Sequence, residues 1–132
     1  MSETDAKPSA YERIGGEAGV RALVDRFYAL MDELPEAAAC RAVHPPSLEG
    51  SAAKLFDYLS YWLGGPKTYV EKRGHPMLRA RHLDAPIGNA ETVGWLVCFH
   101  RAWTETVEDK ALGEEILPSI NNLALHMRNK DG

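Results

Sequence analysis

Residues 19–34 read GVRALVDRFYALMDEL, and their apolar members Val20, Leu23, Val24, Phe27 and Met31 recur at steps of three, one, three and four. Such spacing lays one stripe along a helix, whereas a strand would alternate apolar and polar residues. Working outward, Ser9 is placed to cap a short helix over Ala10–Ile14, which Gly15-Gly16 stops. On the other side Pro35 starts a further turn, and His44-Pro45-Pro46 ends it, because a residue before proline is pushed out of the α region. Ser47 is the next capping candidate, ahead of a second apolar face made by Leu48, Leu55, Phe56, Leu59 and Leu63, which Gly64-Gly65-Pro66 terminates.

Thr68–Gly74 has no clear period and reads as a loop or loose helix. Pro76 opens a short helix over Met77–His82. Pro86 and Gly88 break it, and Asn89 caps a long helix carrying Val93, Leu96, Val97, Trp103 and Val107. Asp109 opens the last helix, with Leu112, Ile116, Ile120, Leu123 and Met127 inward and a kink or restart expected at Pro118. The pattern predicts an all-α chain.

The 132 residues suit one domain, expected over residues 10–132 behind a flexible N-terminal extension, 1–9. Hydrophobic residues make up 45%, enough for a sizeable core. Fifteen Lys and Arg against 19 Asp and Glu give a net charge of −4 with no block of like charge, which speaks against nucleic acid or an anionic membrane as partner. Cys40 and Cys98 form no CxxC, so neither a disulfide framework nor a thiolate zinc site is expected. No apolar run is long enough to span a bilayer and no secretory leader is visible, so a cytoplasmic setting is expected.

Five histidines are the candidates for chemistry: His44, His75, His82, His100 and His126. None forms HxxxH or HExxH, there is no CxxCH for covalent haem attachment, and no GxSxG, GxGxxG or Walker loop occurs. His82 differs in its neighbourhood. Met77 and Leu78 lie four or five residues back along the same short helix, and Arg79 and Arg81 flank it. One imidazole beside apolar side chains and cations suits a flat, anionic, iron-bearing macrocycle, with the cations meeting its propionates. The same pattern also describes a core or helix-capping histidine. Tyr28 and Trp95 each combine a large apolar body with one hydrogen-bond donor, and each also reads as an ordinary core aromatic.

Four stretches taken together carry a resemblance: YERIGGEAGVRALVDRFY (11–28), YWLGGPKTY (61–69), EKRGHPMLRARH (71–82) and GWLVCFHRAW (94–103). In their order and spacing they strongly resemble the truncated haemoglobins, specifically the second group, from about Tyr11 to Leu125. The resemblance implies a truncated globin fold, a two-over-two helical sandwich around haem b. It also implies a shortened first helix and a mostly irregular segment before the proximal helix.

By position, the resemblance makes His82 the proximal iron ligand and Tyr28 and Trp95 the distal hydrogen-bond donors. Leu55 would pack over the ligand, with Ser51 where many globins carry a distal histidine. Phe27, Tyr58, Leu59, Met77, Leu78, Ile87 and Phe99 would line the haem; Tyr69, Lys72, Arg81 and Arg79 are candidates for its propionates. His44 stands where the family usually has Phe or Tyr. It is open to three readings: a third distal donor, an internal iron ligand, or a loop imidazole in solvent. The implied function is binding of O2, with CO and NO as further diatomic ligands, and slow O2 release. An NO dioxygenase or peroxidase-like enzyme is the alternative. Either enzyme reading needs an external reductase, since the chain carries no flavin or nicotinamide motif; a monomer or weak homodimer is expected.

Overall fold

A computed structural model of the chain describes residues 8–74 and 86–129, the side chain of Arg73 excepted. Chain order gives α1 (Ala10–Ile14), α2 (Gly16–Glu33), a 3-10 turn (Pro35–Ala37), α3 (Ala38–Ala42), α4 (Glu49–Trp62), α5 (Thr68–Arg73), α6 (Asn89–Thr106) and α7 (Lys110–His126). No strand occurs among the described residues.

Local chemistry sets most of these ends. Ser9 closes a capping box on α1: its hydroxyl accepts from the Glu12 N–H at 3.1 Å, and the Glu12 carboxylate accepts from the Ser9 N–H at 3.0 Å. Gly15, at φ 110°, ends α1 in the left-handed conformation that a side chain disfavours. Gly16 does not extend that stop. It already belongs to α2, which starts four residues before Val20, the first of the apolar stripe. Asp109 caps α7 by accepting from the Leu112 N–H at 3.0 Å.

One other helix cap is corrected and two open readings are narrowed. Gly88, not Asn89, is the cap residue of α6; its N–H donates to Glu91 Oε1 at 2.7 Å, so the third helical residue supplies the bond. Thr68–Arg73 forms a regular short helix despite its missing period, because it packs against α4. Pro118 neither stops nor restarts α7, which runs unbroken through it. Pro118 and Glu114 are both exposed, so water can take up the carbonyl that the missing N–H leaves without an intrahelical donor.

In space α2 packs on α4 and on α6, and α6 packs on α7. This is the two-over-two helical sandwich expected from the resemblance. Its centre is formed by Val20, Leu23, Val24, Phe27, Leu30 and Met31 of α2 against Cys98, Phe99 and Trp103 of α6. Val93 is not part of it: at 55% exposed it faces solvent, because α6 turns Gly94, Cys98 and Ala102 inward instead. Val107 is buried but lies just past the end of α6. The small inward stripe lets the 3-10 turn and α3 approach closely. A Cβ at Gly94 would stand 2.9 Å from the Glu36 carbonyl oxygen and 3.2 Å from Cys40 Cβ. No described helix is long and apolar enough to cross a membrane.

Candidate functional site

The helical frame brings an aromatic wall together from α2 and α6. Phe27 sits at its middle, with its ring centroid 4.8 Å from Tyr28, 5.2 Å from Trp95 and 5.9 Å from Phe99, all edge-on. Trp95 stacks on Phe99 at 5.1 Å, four residues along α6, as helical spacing requires. Phe27 and Phe99 are fully buried, Tyr28 is 9% exposed, and Trp95 is half-buried.

Two polar atoms in this wall stand out. Among the described residues, neither the Tyr28 hydroxyl nor the Trp95 indole N–H has a hydrogen-bond partner. Burial pushes the Tyr28 phenol well above its ordinary range, with the nearby Cys40 thiol adding to it, so Tyr28 is a neutral O–H donor at any physiological pH.

Helix α4 contributes a second surface. Ser51, Leu55 and Leu59 are spaced by four and share one face; the first two are half-buried and Leu59 is buried. Tyr58 is buried beside Tyr69 of α5, ring to ring at 5.5 Å, and burial pushes its phenol up to about 12. Lys72 holds its ammonium 3.7 Å from the carboxylate of Asp57, so in this structure its charge is met by α4. Ile87 is half-buried, and Asn129 fixes it from both sides: the Asn129 N–H donates to Ile87 O at 2.8 Å, and Ile87 N–H donates to Asn129 Oδ1 at 2.9 Å.

The third part is the corner after α3. His44 lies beside Tyr28 with ring centroids 6.1 Å apart. Its Nδ1 is 2.8 Å from the carbonyl oxygen of Cys40, one helical turn back. A carbonyl only accepts, so Nδ1 carries the proton, and in the neutral ring Nε2 is an acceptor. The sequence expectation of a third donor therefore needs a second proton on this ring. Cys40 itself is buried. Desolvation first, then Cys98 and Glu91, pushes its thiol up to about 12, and burial pushes Cys98 up to about 11, so both thiols are protonated and unreactive.

His82, Met77, Leu78, Arg79 and Arg81 lie outside the described residues. Of the other histidines, His100 Nε2 pairs with Asn121 Oδ1 of α7 at 2.7 Å and His126 is exposed, so neither joins the wall. Among the described residues no group of three His, Cys, Asp or Glu side chains could hold a metal ion.

The residues present fit haem on chemical grounds. The apolar wall of Phe27 and Phe99, with Leu55 on α4 as a second apolar surface, suits a flat macrocycle, and two donors with no partner among the described residues suit a polar ligand. Sequence reading missed Cys40 and Arg41, which hold His44 in place. The signal for Cys40 is its place four residues before a histidine that follows a helix end, where imidazoles reach the last carbonyls.

Comparison with known proteins agrees. The bacterial-like globin family matches residues 9–129. The group 2 truncated hemoglobin YjbI of Bacillus subtilis (strain 168) is 37% identical over 120 residues, which is 91% of this chain and 88% of that protein. Among solved structures, a group II 2-on-2 hemoglobin from the plant pathogen Agrobacterium tumefaciens is 57% identical over 100% of both chains, with a TM-score of 0.94. A truncated oxygen-avid haemoglobin from Bacillus subtilis is 36% identical, covering 92% of this chain and 100% of that one, with a TM-score of 0.83.

Proposed function

Because the chain belongs to the group II truncated haemoglobins within the bacterial-like globins, we propose that it carries haem b on His82 and binds O2 and other diatomic ligands with slow O2 release. The observation that carries this is the pair of donors, Tyr28 O–H and Trp95 N–H, set in an aromatic wall with no hydrogen-bond partner among the described residues. When bound, haem would supply reversible coordination of a diatomic ligand.

The chain's own residues do the rest. Phe27, Leu55, Leu59, Tyr58, Phe99 and Ile87, with Met77 and Leu78, cover the macrocycle and keep water out. Tyr69, Lys72, Arg79 and Arg81 are assigned to its propionates; Lys72 reaches them by leaving Asp57. Tyr28 and Trp95 would donate hydrogen bonds to a polar diatomic ligand such as O2, while CO would gain much less. Each donor contributes roughly 1.5–3 kcal/mol in a dry site, so the two slow O2 release by about 10²–10⁴-fold. The solved Bacillus subtilis relative is described as oxygen-avid, which supports the same sign here.

The test is made on the full chain reconstituted with haem. A Soret band that is lost in His82→Ala is expected, and Tyr28→Phe combined with Trp95→Phe should speed O2 dissociation by the factor just given. A folded chain that takes up no haem, or a double variant with an unchanged O2 off-rate, would refute the reading.

A further inference from the structure

One guanidinium ties together the segments around Tyr28. Arg41 leaves α3 and donates from Nε to Asp32 Oδ1 of α2 at 2.6 Å, from Nη1 to Pro45 O at 2.8 Å and from Nη2 to Pro46 O at 2.7 Å. Asp32 lies four residues after Tyr28, so the two are neighbours along one side of α2. Pro45 and Pro46 directly follow His44, whose ring meets the Tyr28 ring edge-on with centroids 6.1 Å apart. His44 is also tied to α3, by its Nδ1–H to Cys40 O at 2.8 Å and by its backbone N–H to Arg41 O at 3.0 Å. Tyr28 therefore meets two rings held in different ways. Phe27, at 4.8 Å, is fixed by burial, whereas His44 sits in a loop clamped to the very helix that carries Tyr28.

Three acceptors on two segments call for a planar fork. A guanidinium presents its nitrogens in one plane at fixed angles, whereas an ammonium is a compact point charge. The prolines have no N–H with which to anchor the loop themselves, so their carbonyls and Arg41 supply the directed bonds. The ion pair with Asp32 lies near solvent and contributes little net stability. Its effect on geometry is larger, because a hydrogen bond weakens steeply once donor and acceptor lose alignment. Resting on the haem reading above, we propose that Arg41 is a positioning residue for ligand binding: it fixes the His44 loop against α2, and through the His44 ring it holds the Tyr28 hydroxyl where a polar diatomic ligand accepts from it. Asp32 is the anchor of this clamp on the Tyr28 side.

The test uses the full-length holoprotein with O2 and CO as probes. Arg41→Gln should speed O2 dissociation by roughly 2–30-fold, the range for a residue that acts through others. Arg41→Lys should behave like Arg41→Gln, since charge without the fork cannot bridge all three acceptors. Asp32→Ala leaves both proline bonds in place and should change the rate in the same direction by a smaller factor. In a Tyr28→Phe background Arg41→Gln should add nothing, because the hydroxyl it positions is gone. In the ferrous CO form, Arg41→Gln should also shift the CO-stretching band and weaken the NMR contact between the His44 and Tyr28 rings. An O2 off-rate in Arg41→Gln that is unchanged or slower, full rescue by Arg41→Lys, or an undiminished effect in the Tyr28→Phe background would overturn the proposal. If Arg41→Gln fails to fold, Asp32→Ala decides alone: an unchanged off-rate and ring contact there would overturn it. A wild type with no Soret band would instead overturn the haem reading beneath it.

Discussion

The two sides of Tyr28 are built on different physics. Toward α6 the wall of Phe27, Trp95 and Phe99 is held by burial and ring contact alone. Toward α3 the His44 corner is held by directed bonds: two to its own helix end, two from Arg41 to proline carbonyls, and an ion pair to Asp32. A packed wall spreads its stabilisation over the whole fold, so damage there appears as lost global stability. A hydrogen-bonded corner near solvent contributes little net free energy but fixes the orientation of the His44 ring. The wall gives the site its shape and the corner gives it polarity.

Substitutions can separate the two. Phe27→Ala removes the ring at the centre of the wall and should cost about 3–5 kcal/mol in urea denaturation, the range for emptying a buried aromatic site. A loss below about 1 kcal/mol would show that the wall is not load-sharing as described.

Gly94→Ala tests the seam between the regions. The new Cβ would meet the Glu36 carbonyl and Cys40, pushing the 3-10 turn and α3 off α6. A loss of about 1–3 kcal/mol is expected, as for overpacking. The CO-stretching band of the ferrous CO form should shift as well, since Cys40 also anchors His44.

Arg41→Gln, by contrast, should cost ~1 kcal/mol or less in stability, because its guanidinium is part-exposed and its ion pair sits in solvent. Its effect should be visible at the His44 ring instead. A large global loss would place Arg41 with the wall rather than with the corner.

The smallest effect belongs to the far end of α7. Arg13 first, then the Leu112 N–H, hold the Asp109 carboxyl below the usual carboxylate range. Such a group is charged and stabilising at neutral pH. Its contribution is complete above the ordinary Asp value of about 3.9 and is lost as pH falls from there through the lower folded value. The Tm difference between wild type and Asp109→Asn should therefore be constant at neutral pH and shrink below about pH 4. A difference that grows on acidification would reverse the assignment.

Much of the frame was legible because helix periodicity, proline and glycine act locally. The stripe from Val20 to Met31, the Ser9 and Asp109 caps, and the stops at Gly15 and Gly64 all follow from residues within a turn of one another. Local signals stayed ambiguous or were overruled where a neighbour decided. Thr68–Arg73 becomes helical against α4, α7 runs through Pro118 on its solvent side, and Val93 turns outward because a stripe of small residues packs instead. The His44 reading shows the same limit. Its place in the chain suggested a pocket residue, but its polarity depends on which nitrogen the Cys40 carbonyl takes.

The residue pattern alone determined an all-α chain, because spacing along a helix fixes which side chains share a face, while the family, and Tyr28 and Trp95 as donors, were what the resemblance of four stretches implied. Only the tertiary structure decided what lies across from each face. It set Trp95 and Phe27 edge to face, brought Asp32, Arg41 and the two proline carbonyls together beside His44, and tied the Nδ1–H of that ring to the Cys40 carbonyl. Contacts between segments depend on how helices cross, and crossing is settled by the summed packing of many side chains rather than by any one stretch of sequence.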